Sequence, residues 1–189
     1  MEKKLKKRSS GCIKIVLFGP ESTGKTTLAR LLSEHYDTAW VPEYMRIYLQ
    51  KKWDETREVC DYNDLIPIAQ GQIKLESKVI DKGHDLIFCD TNVLELKVYS
   101  EVYYKGEVPE LIEKLSSENV YDLYLLTYID TPWVADDLRD KPNQREEMFS
   151  IFKKTLTTYK YPYVVLKGDE TSRFKKAVHS IDQLIASKK

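Results

Sequence analysis

The segment Gly19-Pro20-Glu21-Ser22-Thr23-Gly24-Lys25-Thr26 carries the spacing G-x-x-x-x-G-K-[ST] in full. Its glycines let the backbone wrap tightly, so that successive N–H groups point inward at phosphate oxygens. A helix beginning at the same place adds its positive N-terminal end. Lys25 would then reach the β- and γ-phosphates, and the Thr26 hydroxyl would ligate Mg²⁺. The flanks agree. Cys12 to Phe18 (CIKIVLF) is an apolar run that reads as a buried strand, and Lys25 to Tyr36 places Leu28, Leu31 and Leu32 on one helical face. Strand, glycine-rich loop and helix in that order imply binding of ATP or a related nucleoside triphosphate with Mg²⁺. Kinases, switches and motors share such a loop, so the reaction must be sought in other residues.

Outward from this segment the chain alternates strand and helix. Thr38 to Val41 reads as a short strand, Glu43 to Lys51 as a helix, and Asp61 to Lys82 as a long helix with Leu65, Ala69, Ile73 and Ile80 on one stripe and Gly83 as its stop. Asp85 to Asp90 (DLIFCD), Tyr121 to Ile129 (YDLYLLTYI) and Tyr161 to Leu166 are further strands. Thr91 to Tyr104, Arg145 to Tyr159 and Arg173 to Ser187 have helical spacing, while Asp130 to Gln144 is polar, holds Pro132 and Pro142, and reads as a loop. Five strands separated by helices predict an α/β fold with a parallel sheet and right-handed crossovers. The expectation is a three-layer P-loop NTPase sandwich: helices on both faces of a five-stranded sheet, in the kinase-like order 2-3-1-4-5.

Composition narrows the function classes. The chain has 189 residues, with 30 Lys and Arg against 30 Asp and Glu. Zero net charge argues against a general nucleic-acid or membrane-surface binder. The balance conceals an asymmetry: Lys3, Lys4, Lys6, Lys7 and Arg8 against Glu2 leave the first ten residues at +4 and the remainder at −4. Residues 1–10 read as a flexible basic tail and residues 11–189 as one domain. Cys12, Cys60 and Cys89 form no disulfide framework, which fits a reducing compartment. His35, His84 and His179 stand alone, without zinc-site spacing. No apolar run has membrane length and no signal-peptide core is evident, so a cytoplasmic protein is expected.

In an open α/β sheet, ligands gather beyond the C-terminal strand ends. Asp90 ends the third strand, where an acid can hold Mg²⁺ through water or accept a proton from an attacking hydroxyl; capping the next helix is the plainer role. Glu43 follows the second strand and could act as general base or hold a substrate hydroxyl, with Arg46 one turn later. The loop Asp130 to Gln144 carries Trp133, Asp136, Asp137, Arg139, Asp140 and Lys141, and Arg145 follows it. Arg139 and Arg145 suit a lid over about residues 130–147 that closes on phosphates; a solvated loop with Asp–Arg pairs is the alternative. Trp133 could stack on a heterocycle, a cationic one above all. Gly168, Asp169 and Arg173 form a corner that could touch adenine or simply cap the last helix. Tyr99, Tyr103 and Tyr104 share one helix and read as packing or partner surface.

Taken together, Gly19 to Thr27, Pro42-Glu43-Tyr44-Met45-Arg46, Asp90-Thr91-Asn92, and Thr131-Pro132-Trp133-Val134 with Asp137 and Arg139 resemble the ribosylnicotinamide kinase domain of NadR-type NAD-salvage proteins, over about residues 12–186. The resemblance implies transfer of the ATP γ-phosphate to the 5′-hydroxyl of nicotinamide riboside, giving nicotinamide mononucleotide. It further implies that Glu43, Tyr44, Arg46, Asp90, Asn92, Trp133 and Asp137 face the substrate, and that Lys25, Arg139 and Arg145 hold the transferred group. Thr26 and Asp90 would serve the metal, and Gly19, Glu21, Ser22, Thr23, Gly24 and Thr27 would cradle the nucleotide. Two departures stand out. Proteins of this type often carry a DNA-binding region and an adenylyltransferase domain upstream, where this chain has about eleven residues, so regulation and adenylyl transfer are expected to be absent. The family's second acid, two residues after the Asp90 position, is Asn92 here. A kinase for another nucleoside or vitamin, or a nucleotide-dependent binding switch, remains open on the residues alone, as do oligomeric state and the choice between Asp90 and Glu43 as base.

Overall fold

The structure, a computed structural model, describes residues 11–136, 138 and 142–188. Its elements in chain order are β1 (Ile13–Phe18), α1 (Lys25–His35), β2 (Ala39–Val41), α2 (Tyr44–Thr56), α3 (Leu65–Ile80), β3 (Leu86–Asp90), α4 (Val93–Tyr103), α5 (Glu110–Glu118), β4 (Leu123–Thr127), α6 (Arg145–Thr158), β5 (Tyr163–Leu166) and α7 (Glu170–Ser187). The five strands form one sheet in the order β2-β3-β1-β4-β5, as expected from the sequence. Every pairing is parallel: Ile15 lies opposite Phe88 on one side of β1 and opposite Leu123 on the other.

The apolar runs are continuous because the central strands are covered on both faces. Ile15, Leu17, Phe88 and Leu125 meet Leu28 and Leu32 of α1 and Ala177 and Ile181 of α7. Val16, Phe18, Ile87 and Leu126 meet Leu94 and Val98 of α4 and Phe152 and Leu156 of α6. A third cluster, built from Leu49, Leu65, Ile68, Val93, Leu96 and Ile112, joins α2, α3, α4 and α5 beside the sheet. It builds out the region next to β2, where the site opens.

One helix and two helix boundaries depart most from the sequence reading. The helix α5 was not anticipated: it is only nine residues long, and its buried side is Ile112 and Ser116. Its sequence signals were Pro109 in front and Glu110 and Glu113 in the first turn, which complement the helix dipole. Helix α2 continues past Lys51 to Thr56. Helix α7 begins at Glu170, not Arg173, because the Asp169 carboxylate accepts the Ser172 N–H at 2.7 Å and caps it. The basic tail expected over residues 1–10 lies outside the described residues. No helix among those described is long and apolar enough to cross a membrane.

Candidate active site

The loop between β1 and α1 is shaped by its glycines. Gly19 has φ +136°, and a Cβ there would come within 2.9 Å of the Thr127 carbonyl oxygen at the end of β4. Gly24 has φ +81° at the start of α1. Both positions need glycine, the first for close approach and the second for handedness. Lys25 is buried, and its Nζ donates to Gly19 O at 2.6 Å and Pro20 O at 2.9 Å. Burial works against its charge, but Glu95, Glu43 and Asp90 outweigh burial and hold its pKa above the ordinary lysine value. The Thr26 hydroxyl donates to Asp90 Oδ2 at 2.6 Å. Asp90 Oδ1 is buried and accepts no hydrogen bond. Burial raises the Asp90 pKa, against the lowering effects of Thr26, Lys25 and Arg46. A hydroxyl and a carboxylate with an unfilled oxygen form a donor set that suits a hard cation.

A cavity of about 420 Å³ runs from this loop into a chamber beside α2 and α4. Its wall is formed by Glu21 to Thr27 of the loop, by Glu43, Arg46 and Glu95, and by Tyr99, Tyr103, Tyr104, Leu49, Leu65 and Leu138 among others. Two readings change here. The tyrosines of α4, expected as packing, are on the cavity wall, although Tyr99 also joins the core. Glu95 was missed altogether. It is 2 % exposed, its Oε1 lies 3.2 Å from Lys25 Nζ, and burial followed by the negative charge of Glu43 and Asp90 pushes its pKa up to about 8, against the pull of Lys25. A detectable signal was present: an acid within the apolar run Val93-Leu94-Glu95-Leu96, one helical turn beyond Asn92.

Several expected substrate residues are turned elsewhere. Asn92 caps α4: its Oδ1 accepts the Glu95 N–H at 3.2 Å and its Nδ2 donates to the Tyr124 hydroxyl at 3.2 Å. Asn92 is not on the cavity wall. Nor is Tyr44, whose ring packs on Gly71 so closely that a Cβ there would sit 1.9 Å from Cε1. Trp133 also lies off the wall, its ring 5.9 Å from the Arg145 guanidinium. Arg46 is on the wall and donates to Asp136 Oδ2 at 2.5 Å.

The segment after β4 is fastened to the phosphate loop. Thr131 Oγ1 donates to Ser22 O at 2.8 Å, and Ser22 Oγ accepts the Val134 N–H at 3.0 Å. Arg145 donates to Thr131 O at 2.8 Å and Ser22 O at 3.1 Å, which places a cation on the flank of the loop; burial, then Arg173, lowers its pKa. Asp137 and Arg139 lie outside the described residues. At the β5 corner, the Gly168 N–H donates to Asp130 Oδ2 at 2.6 Å. Arg173 is buried and bonds Thr23 O at 2.6 Å, Tyr128 O at 2.8 Å, Gly168 O at 2.9 Å and the Asp130 carboxylate. In the structure this corner is a clamp on the loop.

The chain is similar in sequence and fold to known proteins. The trifunctional NAD biosynthesis/regulator protein NadR of Escherichia coli (strain K12) is 26% identical over 178 residues, covering 93% of this chain and 43% of that protein. Its counterpart in Salmonella typhimurium is 26% identical over 174 residues, covering 90% and 42%. The chain thus spans less than half the length of these relatives. Among solved structures, a NadR protein in complex with NR matches with TM-score 0.75 and 21% identity over 92% of this chain and 49% of that one. Thymidylate kinase from Ehrlichia chaffeensis matches with TM-score 0.65 and 14% identity over 90% and 99%. These matches bear out the resemblance to NadR-type proteins and the kinase-like sheet. The family model described as AAA domain matches residues 14–173, from β1 to the arginine that clamps the phosphate loop, and the chain belongs to that family.

Proposed function

We propose that the protein is an ATP-dependent kinase that phosphorylates the 5′-hydroxyl of nicotinamide riboside. One observation carries the reading: a single cavity joins the phosphate loop to a chamber walled by carboxylates and tyrosines. A switch needs only the first half of that cavity. The second half has the chemistry of a cationic nucleoside site. Glu43 and Glu95 supply carboxyl groups, and the rings of Tyr99, Tyr103 and Tyr104 offer faces that attract a pyridinium. The similarity to NadR proteins, one of them solved with NR and another with NAD and AMP-PNP, supports the same substrate pair.

In this mechanism the chain's work is positioning and charge stabilisation. The loop amides and Lys25 hold the triphosphate, and Arg145 adds charge at the loop's flank. Thr26 and Asp90 would hold a Mg²⁺, which neutralises phosphate charge when bound. Residues 130–147 would form the lid, with Asp137 and Arg139 among them, in a single cytoplasmic domain. Glu43 and Arg46 would orient the ribose. A panel of nucleosides and vitamins incubated with ATP tests the proposal: phosphorylation of nicotinamide riboside in clear preference to thymidine, deoxyadenosine and pyridoxal is expected. ATP hydrolysis without any acceptor product would sink it.

A further inference from the structure

Glu95 belongs to none of the motif segments, yet it lines the cavity beside Lys25. It sits in the first turn of α4, 2 % exposed, between the phosphate loop and the acceptor chamber. Oε1 faces Lys25 Nζ at 3.2 Å, and Oε2 is buried and accepts no hydrogen bond. Leaving a buried polar atom unpaired costs about 1–3 kcal/mol, and a charged one more. The contact of Oε1 with Lys25 offsets part of that cost and leaves Oε2 without a partner. The ionisable groups that act on it are Lys25 from α1, Glu43 at the start of α2 and Asp90 from β3; Tyr99 lies one turn along α4. Asp90 already has one oxygen committed to Thr26. Lys25 marks the position of the β- and γ-phosphates. Glu95 is therefore the carboxylate in direct contact with the group that locates the transferred phosphoryl.

Building on the kinase reading, we propose that Glu95 is a catalytic residue that, in its ionised form, pairs with Lys25 until a triphosphate draws the ammonium away and then accepts the proton of the attacking hydroxyl. In that step the acceptor oxygen bonds to the γ-phosphorus. The bond from the γ-phosphorus to the β,γ-bridging oxygen breaks, and its electron pair leaves with the nucleoside diphosphate. The hydroxyl proton passes to Glu95 Oε2. Before the step, Glu95 and the triphosphate compete for the same lysine, so nucleotide binding and exposure of the base are one event.

The test is Glu95→Gln, which keeps the shape and removes the base. With ATP and nicotinamide riboside, kcat should fall by about 10²–10⁴-fold with little change in KM for the nucleoside. The affinity for a fluorescent ATP analogue should stay equal or become several-fold tighter, since the competitor for Lys25 is gone. A residue that merely propped Lys25 would lose nucleotide affinity together with kcat, and that result overturns the proposal. So does a kcat within a factor of about three of wild type. If Glu95→Gln does not fold, Glu95→Asp retains the charge and withdraws it by one methylene. It should show reduced kcat at unchanged nucleotide affinity, and wild-type kcat would again refute the role. Wild-type protein that phosphorylates no nucleoside would remove the kinase reading instead, while the competition for Lys25 would still be read from the nucleotide affinity of Glu95→Gln.

Discussion

Two carboxylates are buried near opposite ends of the same sheet, and their surroundings differ. Glu76, on α3, receives the Tyr121 hydroxyl at 2.8 Å to each oxygen, with Lys14 Nζ at 4.0 Å and lying over the Tyr121 ring. Glu95, on α4, has an ammonium against one oxygen and nothing bonded to the other. Both pKa values are raised chiefly by burial. Glu76 is satisfied by its neighbours and has no work left. Glu95 is partly satisfied, and its partner is the loop lysine whose motif role is to reach phosphate. Partnering, rather than burial or pKa, separates a structural acid from a poised one.

That contrast can be broken by substitution. The largest effect should come from Lys25→Ala, which removes the cation common to the loop and Glu95. Turnover should drop by about 10²–10³-fold or more in a coupled kinase assay, while circular dichroism stays native. At Glu76 the balance should reverse. Glu76→Ala strands the buried Tyr121 hydroxyl and should cost about 1–3 kcal/mol in urea unfolding, with kcat unchanged. Loss of turnover without loss of stability would show the two ends to be equivalent after all.

Acidity sharpens the comparison. A carboxyl whose folded pKa is raised binds its proton more tightly folded than unfolded. Its favourable contribution is complete at low pH and is lost as pH rises from the unfolded value towards the folded one. For Glu95 that window runs from an unfolded value of about 4.3 to a folded value of about 8. The melting temperature of nucleotide-free protein should therefore decline across the window, and Glu95→Gln should flatten the decline in a pH series of thermal melts. Glu76 acts in the same direction, so adding Glu76→Gln to Glu95→Gln should flatten the slope further. The smallest effect should be at Asn92, where Asn92→Ala removes a helix cap worth about 1 kcal/mol and leaves the KM for the nucleoside unchanged. A large rise in KM would put Asn92 in the substrate site.

The sheet was legible because strands covered on both faces must be continuous apolar runs, and the glycine-rich loop was legible because the backbone geometry it needs admits few residues. The acceptor wall was not. Glu95 and Tyr103 are ordinary helix residues and Tyr104 ends the helix, and only the way α4 leaves β3 turns them into the cavity. That exit includes Thr91 at φ +69°, a left-handed conformation rare for a β-branched residue, which no spacing rule announces. Asn92 failed in the opposite sense: it stands inside a motif segment, yet its amide is spent on the helix N-terminus and on Tyr124. Helix α5 escaped because nine residues give too few turns for periodicity to register.

The Arg173 clamp has a consequence for how the protein is made. Its guanidinium, from α7, closes on a carbonyl of the phosphate loop 150 residues earlier in the chain. A ribosome delivers the loop 150 residues before the clamp. Strand β1 is likewise flanked by β3 and β4, which emerge well after it. The nucleotide loop is thus encoded well before its clamp, so a nascent chain halted before α7 would carry the whole motif without the clamp that shapes it.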